Sequence, residues 1–255
     1  MEERITSRRN PLLAHTKKLL TSRSYREKMG EFAADGVKLL AEAARWYPGL
    51  TTVIAEDGIE LCKLPEQTRV VRVPKDVMQS ISLMDAPQGA IFLCRLPEAA
   101  PAALVPGTLL LDGIQDPGNL GTIIRSSEGA GVSGIIMSKD TVDIYNPKTI
   151  RSTMGALFRM PFVYAENFQE VLNSLNCRGF NTCSACLDGA VDYCTIDYSS
   201  ATAIIIGNEG NGLTRDTIEN SKSGIKIPMS GGLESLNAAV STAIIAYEAR
   251  RQRNM

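Results

Sequence analysis

The sequence predicts an α/β protein in two parts, the second of which is built on a parallel sheet. Short apolar runs alternate with amphipathic stretches along the chain of 255 residues. The run from Ala203 to Ile206 is apolar at every position, which is typical of a strand covered on both faces of a parallel sheet. Residues 96–106 carry three Pro and four Ala without a hydrophobic period, and they predict a linker between the two parts.

The first part, residues 1–95, alternates strands and helices over a length that suits a small domain. Asp35-Gly36 introduces a helix, and Pro48-Gly49 ends it. Residues 25–32 predict an extended segment. The remaining pattern predicts helices at residues 10–20, 37–46 and 75–81, and strands at residues 51–55, 69–73 and 89–95.

The second part, residues 107–255, shows the same alternation more clearly. Strands are predicted at residues 108–111, 134–137, 180–184, 202–206 and 224–227. Helices are predicted at residues 119–129, 147–153, 168–175, 214–221 and 234–251. The last helix carries Leu236, Val240, Ile244 and Tyr247 at steps near 3.6 residues, which predicts that this face is buried.

Composition places the chain among soluble globular proteins. Hydrophobic residues make up 44% of it and charged residues 22%, and the net charge of −1 points to no particular partner. The sequence contains neither a signal peptide nor an apolar run that could cross a membrane, so we expect a cytoplasmic protein without a membrane partner. The first 28 residues hold eight Lys or Arg against three Glu. Such a segment suits contact with nucleic acid, although charge alone favours a solvated surface helix.

The cysteines and the single histidine argue against several kinds of catalysis. Six Cys in such a protein predict free thiols in a reducing compartment. Cys183 and Cys186 have CxxC spacing, but a zinc site needs two further ligands and the only His, His15, is distant. We therefore expect structural thiols and no metal. With one His, a Ser-His-Asp or Cys-His mechanism has little support.

Polar residues follow three of the predicted strands. Asn119 lies near the start of a helix, and Arg125 lies close to two turns further along it. Glu209 stands in a loop with three Gly in six positions, residues 207–212. The third loop contributes Glu234, Ser235 and Asn237 at the start of the last helix. Because ligands bind at the carboxyl ends of parallel strands, we expect these loops to form one site, the alternative being a capped helix with a solvent-facing Arg.

Read in order, the three loops match a known pattern. Asn119 with Arg125, Gly-Asn-Glu-Gly at residues 207–210, and Ile-Pro-Met at 227–229 with Ser-Leu-Asn at 235–237 occur in that order. They resemble the three motifs of the SpoU branch of the SPOUT RNA methyltransferases, and the likeness spans the second part. Residues 32–43 resemble the substrate-binding domain of the same family, a fold shared with small RNA-binding ribosomal proteins.

The resemblance implies a SPOUT-type α/β fold whose parallel sheet ends in a C-terminal trefoil knot. It implies an RNA-binding domain at residues 1–95, a linker at 96–106 and a knotted methyltransferase domain at 107–255. It also implies a homodimer with its sites at the subunit interface, and S-adenosyl-L-methionine bound in a bent form. The implied cofactor contacts are Gly207, Ile227, Leu236, Ser184 and Met229.

The implied reaction is methylation of a ribose 2′-hydroxyl in RNA, with Arg125 next to the hydroxyl. Asn119 and Asn237 would orient the hydroxyl or Arg125, since amides both donate and accept. Glu209 would hold Arg125 by a bidentate pair. Ser235 would cap the last helix and contact RNA phosphate. Because an Arg is a poor base, either its surroundings make it unusually acidic, or it stabilises developing negative charge while another group accepts the proton.

The substrate is expected to be ribosomal RNA of the large subunit, because the additional RNA-binding domain suits a folded target. Transfer RNA is the alternative substrate. A non-catalytic RNA-binding or ribosome assembly factor with the same fold is the alternative from another class. The joint presence of Asn119, Arg125, Glu209 and Asn237 favours the enzyme.

Overall fold

The computed structural model describes residues 3–97, 105–187 and 189–253. They form two compact units, the first comprising Met1–Glu98 with Asp143–Arg159 and the second Ala99–Val142 with Met160–Met255. The predicted linker falls largely on residues 98–104, outside the described residues.

The elements follow one another in the order that the sequence pattern predicts, with a few additions. The helices are α1 (Pro11–Thr21), α2 (Arg23–Met29), α3 (Val37–Trp46), α4 (Lys75–Ile81), α5 (Pro117–Ala130), α6 (Pro147–Thr153), α7 (Phe168–Cys177), α8 (Arg215–Glu219) and α9 (Ala238–Arg253). The strands are β1 (Glu3–Arg4), β2 (Glu31–Asp35), β3 (Leu50–Glu56), β4 (Arg69–Val73), β5 (Ala90–Arg95), β6 (Thr108–Asp112), β7 (Gly134–Met137), β8 (Phe162–Tyr164), β9 (Asn181–Ala185), β10 (Val191–Asp192), β11 (Thr202–Gly207) and β12 (Ser223–Lys226).

The first unit is built on a mixed five-stranded sheet in the order β1-β4-β3-β5-β2, in which β5 is antiparallel to both neighbours. The prediction of an extended segment at residues 25–32 is wrong over most of its length. Ser22 caps α2 by accepting a hydrogen bond from the N–H of Tyr25 at 3.3 Å. Gly30, in the left-handed region with φ of 64°, ends the helix and turns the chain into β2.

The segment Asp143–Arg159 packs with the first unit, whereas the sequence reading placed it in the second part. A buried ion pair is one reason for this. Arg26 donates from Nε to Asp143 Oδ2 at 3.1 Å and from Nη1 to the carbonyl of Leu19 at 2.6 Å. Such an interaction between residues 117 positions apart leaves no signal in a local hydrophobic pattern.

The second unit contains a seven-stranded sheet in the order β10-β12-β9-β11-β6-β7-β8. Each of its strand pairs is parallel, which confirms the predicted parallel sheet. Short edge strands β8 and β10 escaped the sequence reading because two or three residues carry too little pattern. β6 and β11 are paired so that Asp112 lies opposite Gly207, and the loops that follow them leave from the same edge of the sheet.

Helix α9 packs along α5 through a face that differs from the predicted one. Its buried residues are Ala238, Ala239, Thr242, Ile245, Ala246 and Ala249. Val240 and Tyr247 are 46% and 50% exposed, so the prediction that they face the core is wrong. The small Ala side chains allow the two helices to approach closely, and Gly129 of α5 would place a Cβ only 3.0 Å from the Tyr247 hydroxyl. Helices of the described residues lack the combined length and hydropathy needed to cross a bilayer.

We predict that Asp143→Ala lowers the free energy of unfolding of the first unit by about 3–5 kcal/mol, because it leaves the buried Arg26 cation without its partner. Trp46, the only Trp in the chain, lies in this unit, so its fluorescence during urea unfolding reports the change. The matched control is Asp57→Ala, which removes an exposed pair with Arg4 and should cost less than about 1 kcal/mol. Equal losses in the two variants would contradict the importance of the buried pair.

Candidate active site

The Glu209 carboxylate joins the loop after β11 to the loop after β6. Its Oε1 accepts hydrogen bonds from the backbone N–H of Asp116 at 3.1 Å and from Nδ2 of Asn119 at 3.0 Å. Its Oε2 accepts from the backbone N–H of Gln115 at 3.0 Å. A carboxylate with three donors from one neighbouring segment fixes the relative position of the two loops.

Asn119 in turn connects the first loop to the third by a hydrogen bond. Its Oδ1 accepts a hydrogen bond of 2.9 Å from Nδ2 of Asn237. The Oδ1 of Asn237 accepts from the backbone N–H groups of Ala239 at 2.9 Å and Val240 at 3.3 Å, which makes Asn237 the residue that caps α9. The side chains Asn237, Asn119 and Glu209 therefore form one continuous polar chain across three loops.

Capping by Asn237 corrects two expectations about the third loop. Helix α9 begins at Ala238, four residues later than predicted, because the capping amide comes just before that residue. Glu234 and Ser235 consequently lie in the loop that precedes the helix, and Ser235 does not cap it.

The Gly-rich loop after β11 closes on itself. The backbones of Asn208 and Gly212 exchange two hydrogen bonds, of 3.1 and 2.9 Å. A Cβ on Gly207 would lie 2.4 Å from the carbonyl carbon of Gly212, so only glycine fits there. The loop is also tied to its neighbour, since Nδ2 of Asn208 donates to the carbonyl of Gly113 at 2.7 Å. The close backbone approach at Gly207 is thus made by the loop itself.

A cavity of about 400 Å³ lies beside this polar chain, and Glu209 is one of its lining residues. Its walls come from the ends of β9, β11 and β12 and from the first turns of α9. Six of the ten predicted site residues line it: Gly207, Glu209, Ile227, Met229, Ser235 and Leu236. A mainly apolar cavity with a few polar groups at its mouth is the usual form of a small-molecule site.

Two family models match the chain in succession. The model of the SpoU rRNA Methylase family matches residues 106–247, which is more than half of the chain and includes all three loops. The chain belongs to the SpoU rRNA methylase family. A second model, described as an MRM3-like substrate binding domain, matches residues 10–91 of this SpoU methylase.

Curated relatives match this SpoU methylase over nearly its whole length. The 23S rRNA (guanosine(2553)-2'-O)-methyltransferase RlmP of Bacillus subtilis (strain 168) is 31% identical over 250 residues, covering 97% of this chain and 99% of the relative. The 23S rRNA (uridine(2479)-2'-O)-methyltransferase of Streptomyces viridochromogenes is 32% identical over 98% of this chain and 92% of its own. The solved AdoMet-bound rRNA methyltransferase from Sinorhizobium meliloti superposes with a TM-score of 0.86 at 31% identity, covering 98% of this chain and 97% of that one.

Ser184 and Arg125 of this SpoU methylase are not among the residues that line the cavity. Ser184 does not line the cavity, because it is fully buried in β9 and its hydroxyl donates to the carbonyl of Ser223 at 3.3 Å. Arg125 is exposed on α5, six residues beyond Asn119 and so about 9 Å along the helix axis. The expected Glu209–Arg125 pair is not formed, since both oxygens of Glu209 accept from Asn119 and the loop before it.

Sequence reasoning missed the part of the cavity that follows β9. Ala185, Cys186 and Leu187 line it, and β9 is parallel to its neighbours, so its carboxyl end lies at the same edge as the three motif loops. The position of β9 in the parallel sheet could have indicated that the residues at its carboxyl end line the site. Cys183 lies two residues before Ala185 in β9. Its thiol is buried, and burial raises its pKa to about 12. Groups of His, Cys, Asp or Glu that could hold a metal are absent from the described residues.

Glu209 also carries the clearest electrostatic signature of the site, because its pKa lies below the ordinary value. Partial burial is the largest single effect and raises the pKa. The hydrogen bonds from Asn119 and from the backbone N–H groups of Gln115, Glu209 and Asp116 together outweigh it. The Glu209 carboxylate is therefore ionised at neutral pH.

We predict that Gly207→Ala lowers the free energy of unfolding by about 1–3 kcal/mol or more, since the added methyl group meets backbone that cannot move aside. Gly210→Ala, three residues further in the same loop, places its Cβ no closer than 3.5 Å to another atom and should change stability by less than about 0.5 kcal/mol. Thermal unfolding of the two variants makes the comparison. Similar melting temperatures would show that the close packing of Gly207 against Gly212 does not contribute to stability.

The lowered pKa of Glu209 predicts a dependence of stability on pH. A group whose pKa is lower in the folded than in the unfolded state stabilises the fold above its unfolded pKa, near 4.5, and loses that effect as the pH falls through its folded pKa. The difference in melting temperature between the wild type and Glu209→Gln should be constant at neutral pH and should shrink as the pH falls below about 4.5. A difference that grows on acidification would have the wrong sign for this account.

Proposed function

We propose that this SpoU methylase transfers a methyl group from S-adenosyl-L-methionine to a ribose 2′-hydroxyl of large-subunit ribosomal RNA. The observation that carries the proposal is one cavity lined by the second and third motif loops, to which the first is joined through the hydrogen bonds of Asn119 to Glu209 and Asn237. The two curated relatives that match almost end to end are both named as 23S rRNA 2′-O-methyltransferases, which favours ribosomal over transfer RNA.

The cavity suits S-adenosyl-L-methionine in size and in chemistry. About 400 Å³ lies within the usual range for small-ligand pockets. Ile206, Ile225 and Ile245 are among the apolar residues that line it and could cover a purine ring. Glu209 and Glu234 outnumber Lys226 among the charged lining residues, which suits a ligand that carries a positive sulfonium. We assign the cofactor contacts to Gly207, Ile227, Met229 and Leu236, and leave Ser184 out.

When bound, the cofactor supplies an electrophilic methyl group, so the protein has to position the hydroxyl and stabilise the charge that develops on its oxygen. Asn119 and Asn237 are suited to positioning, because their hydrogen bonds to each other and to Glu209 fix the orientation of both amides. In this proposal Glu209 is a positioning residue that acts through Asn119, and Ser235 contacts RNA from the loop before α9.

Arg125 is assigned to the charge that develops at the ribose oxygen and at the neighbouring phosphate. A guanidinium stays protonated in proteins, so a role as charge stabiliser suits it better than a role as base. Its exposure on α5 leaves the group accessible to a macromolecular substrate. Preorganised cations aimed at developing charge are among the largest contributors to catalysis.

The proposal includes a homodimer, a trefoil knot and a cytoplasmic place of action. Exposed apolar residues on and just before α9, namely Leu233, Val240 and Tyr247, support a second copy packing against this region. The resemblance to SPOUT enzymes supports the knot, and six free thiols suit a reducing compartment. The two successive family models, at residues 10–91 and 106–247, support an RNA-binding domain at 1–95, a linker at 96–106 and a methyltransferase domain at 107–255.

We predict that Arg125→Ala lowers the rate of methyl transfer to large-subunit ribosomal RNA by about 100-fold or more, the effect of removing one preorganised charge-stabilising group. Affinity for S-adenosyl-L-methionine, measured by calorimetry, should stay within a few fold because Arg125 does not line the cavity. Transfer of a labelled methyl group to unmodified ribosomal RNA gives the rate.

The control is Arg215→Ala, which removes a highly exposed Arg from α8 and should leave the rate unchanged. Lost cofactor affinity in Arg125→Ala would argue against the assigned role. Tight cofactor binding without any methyl transfer by the wild type would favour the non-catalytic alternative.

A further inference from the structure

The only Trp of the chain is exposed at the end of α3. Trp46 keeps 45% of its surface in solvent, although a side chain of this size is usually well covered. Its neighbour Tyr47 turns inward, with its ring 5.8 Å from that of Phe32 and 5.5 Å from that of Phe158. The packing of Tyr47 against Phe32 and Phe158 therefore fixes the backbone next to Trp46, while the indole faces solvent.

Two arginines accompany the indole ring. The guanidinium carbon of Arg45 lies 4.8 Å from the ring centroid and that of Arg159 lies 5.8 Å from it. Arg159 follows Phe158 directly, belongs to the same compact unit and also pairs with Glu42 of α3. Both cations are thus within cation–π distance of one partly exposed aromatic ring.

The surroundings of Trp46 are basic rather than apolar. Lys38 lies two helical turns before it on the same side of α3 and is exposed, as is Arg45. Glu42, the acidic residue of α3, forms an ion pair with Arg159. A protein-docking site would be expected to offer a contiguous apolar surface, whereas a single aromatic ring among cations is the usual arrangement for stacking a nucleobase next to its phosphate.

We propose that Trp46, with Arg45 and Arg159, is a stacking site for an unpaired base of the RNA substrate. The inference rests on the proposed function and deepens it, because it places a contact with single-stranded RNA in the region matched by the substrate-binding model. Sequence-specific recognition of RNA mostly involves unpaired bases that stack on aromatic rings or guanidinium planes. The RNA substrate of this enzyme then carries an unpaired base that the first unit binds.

Intrinsic fluorescence tests the contact directly, since Trp46 is the sole Trp. The full-length protein is titrated with a fluorophore-labelled oligoadenylate, whose anisotropy reports binding independently of the indole. Stacking should quench Trp46 as the oligonucleotide binds. Trp46→Ala should weaken binding by about tenfold or more, the effect of losing one stacked base, while Trp46→Phe should retain most of the affinity.

The matched control is Leu83→Ala, which removes another exposed apolar side chain from the same unit and should leave affinity unchanged. Circular dichroism confirms that each variant is folded. The same oligoadenylate annealed to oligouridylate is titrated in parallel, because a paired base cannot stack on the indole. Unchanged Trp46 fluorescence on saturation, equal affinity of Trp46→Ala and wild type, or equal quenching by the duplex and the single strand would each overturn the inference. So would the absence of any oligoadenylate binding. Because methyl transfer to ribosomal RNA is measured separately, all of these results can occur with the proposed function intact.

Discussion

The arrangement of the site depends on the hydrogen bonds that the Glu209 carboxylate accepts. Two backbone N–H groups and one amide from the segment 115–119 converge on it, which ties the loop after β6 to the loop after β11. The Asn119–Asn237 hydrogen bond extends this constraint to the start of α9. These hydrogen bonds hold the three loops next to one another. The loops after β11 and β12 line the cavity together with the end of β9.

The location of the site could be predicted because it follows from the class of sheet. In a parallel sheet every strand ends at the same edge, so the loops after β6, β11 and β12 had to be neighbours once those strands were recognised. The apolar run of β11 is a local signal, and it is found where the sequence predicts it. Local signals also account for most of the first unit, where α3, α4 and β4 match their predicted bounds.

What the sequence could not predict is the choice among competing partners. Glu209 and Arg125 have opposite charges and belong to the motif segments, yet the carboxylate accepts its hydrogen bonds from Gln115 to Asn119. Helix α9 carries two stripes with helical spacing, and packing selected the Ala-rich one because small side chains allow close approach to α5. The segment Asp143–Arg159 joins the first unit through the Arg26–Asp143 pair, which no local pattern encodes.

Mapping of ribose methylation in ribosomal RNA from cells with and without this protein tests the central claim most directly. The account predicts that one 2′-O-methyl group of large-subunit RNA disappears when the protein is absent and returns when the wild-type chain is supplied. An unchanged methylation map of large-subunit RNA would contradict the account, and loss of a methyl group from transfer RNA alone would contradict the assigned substrate.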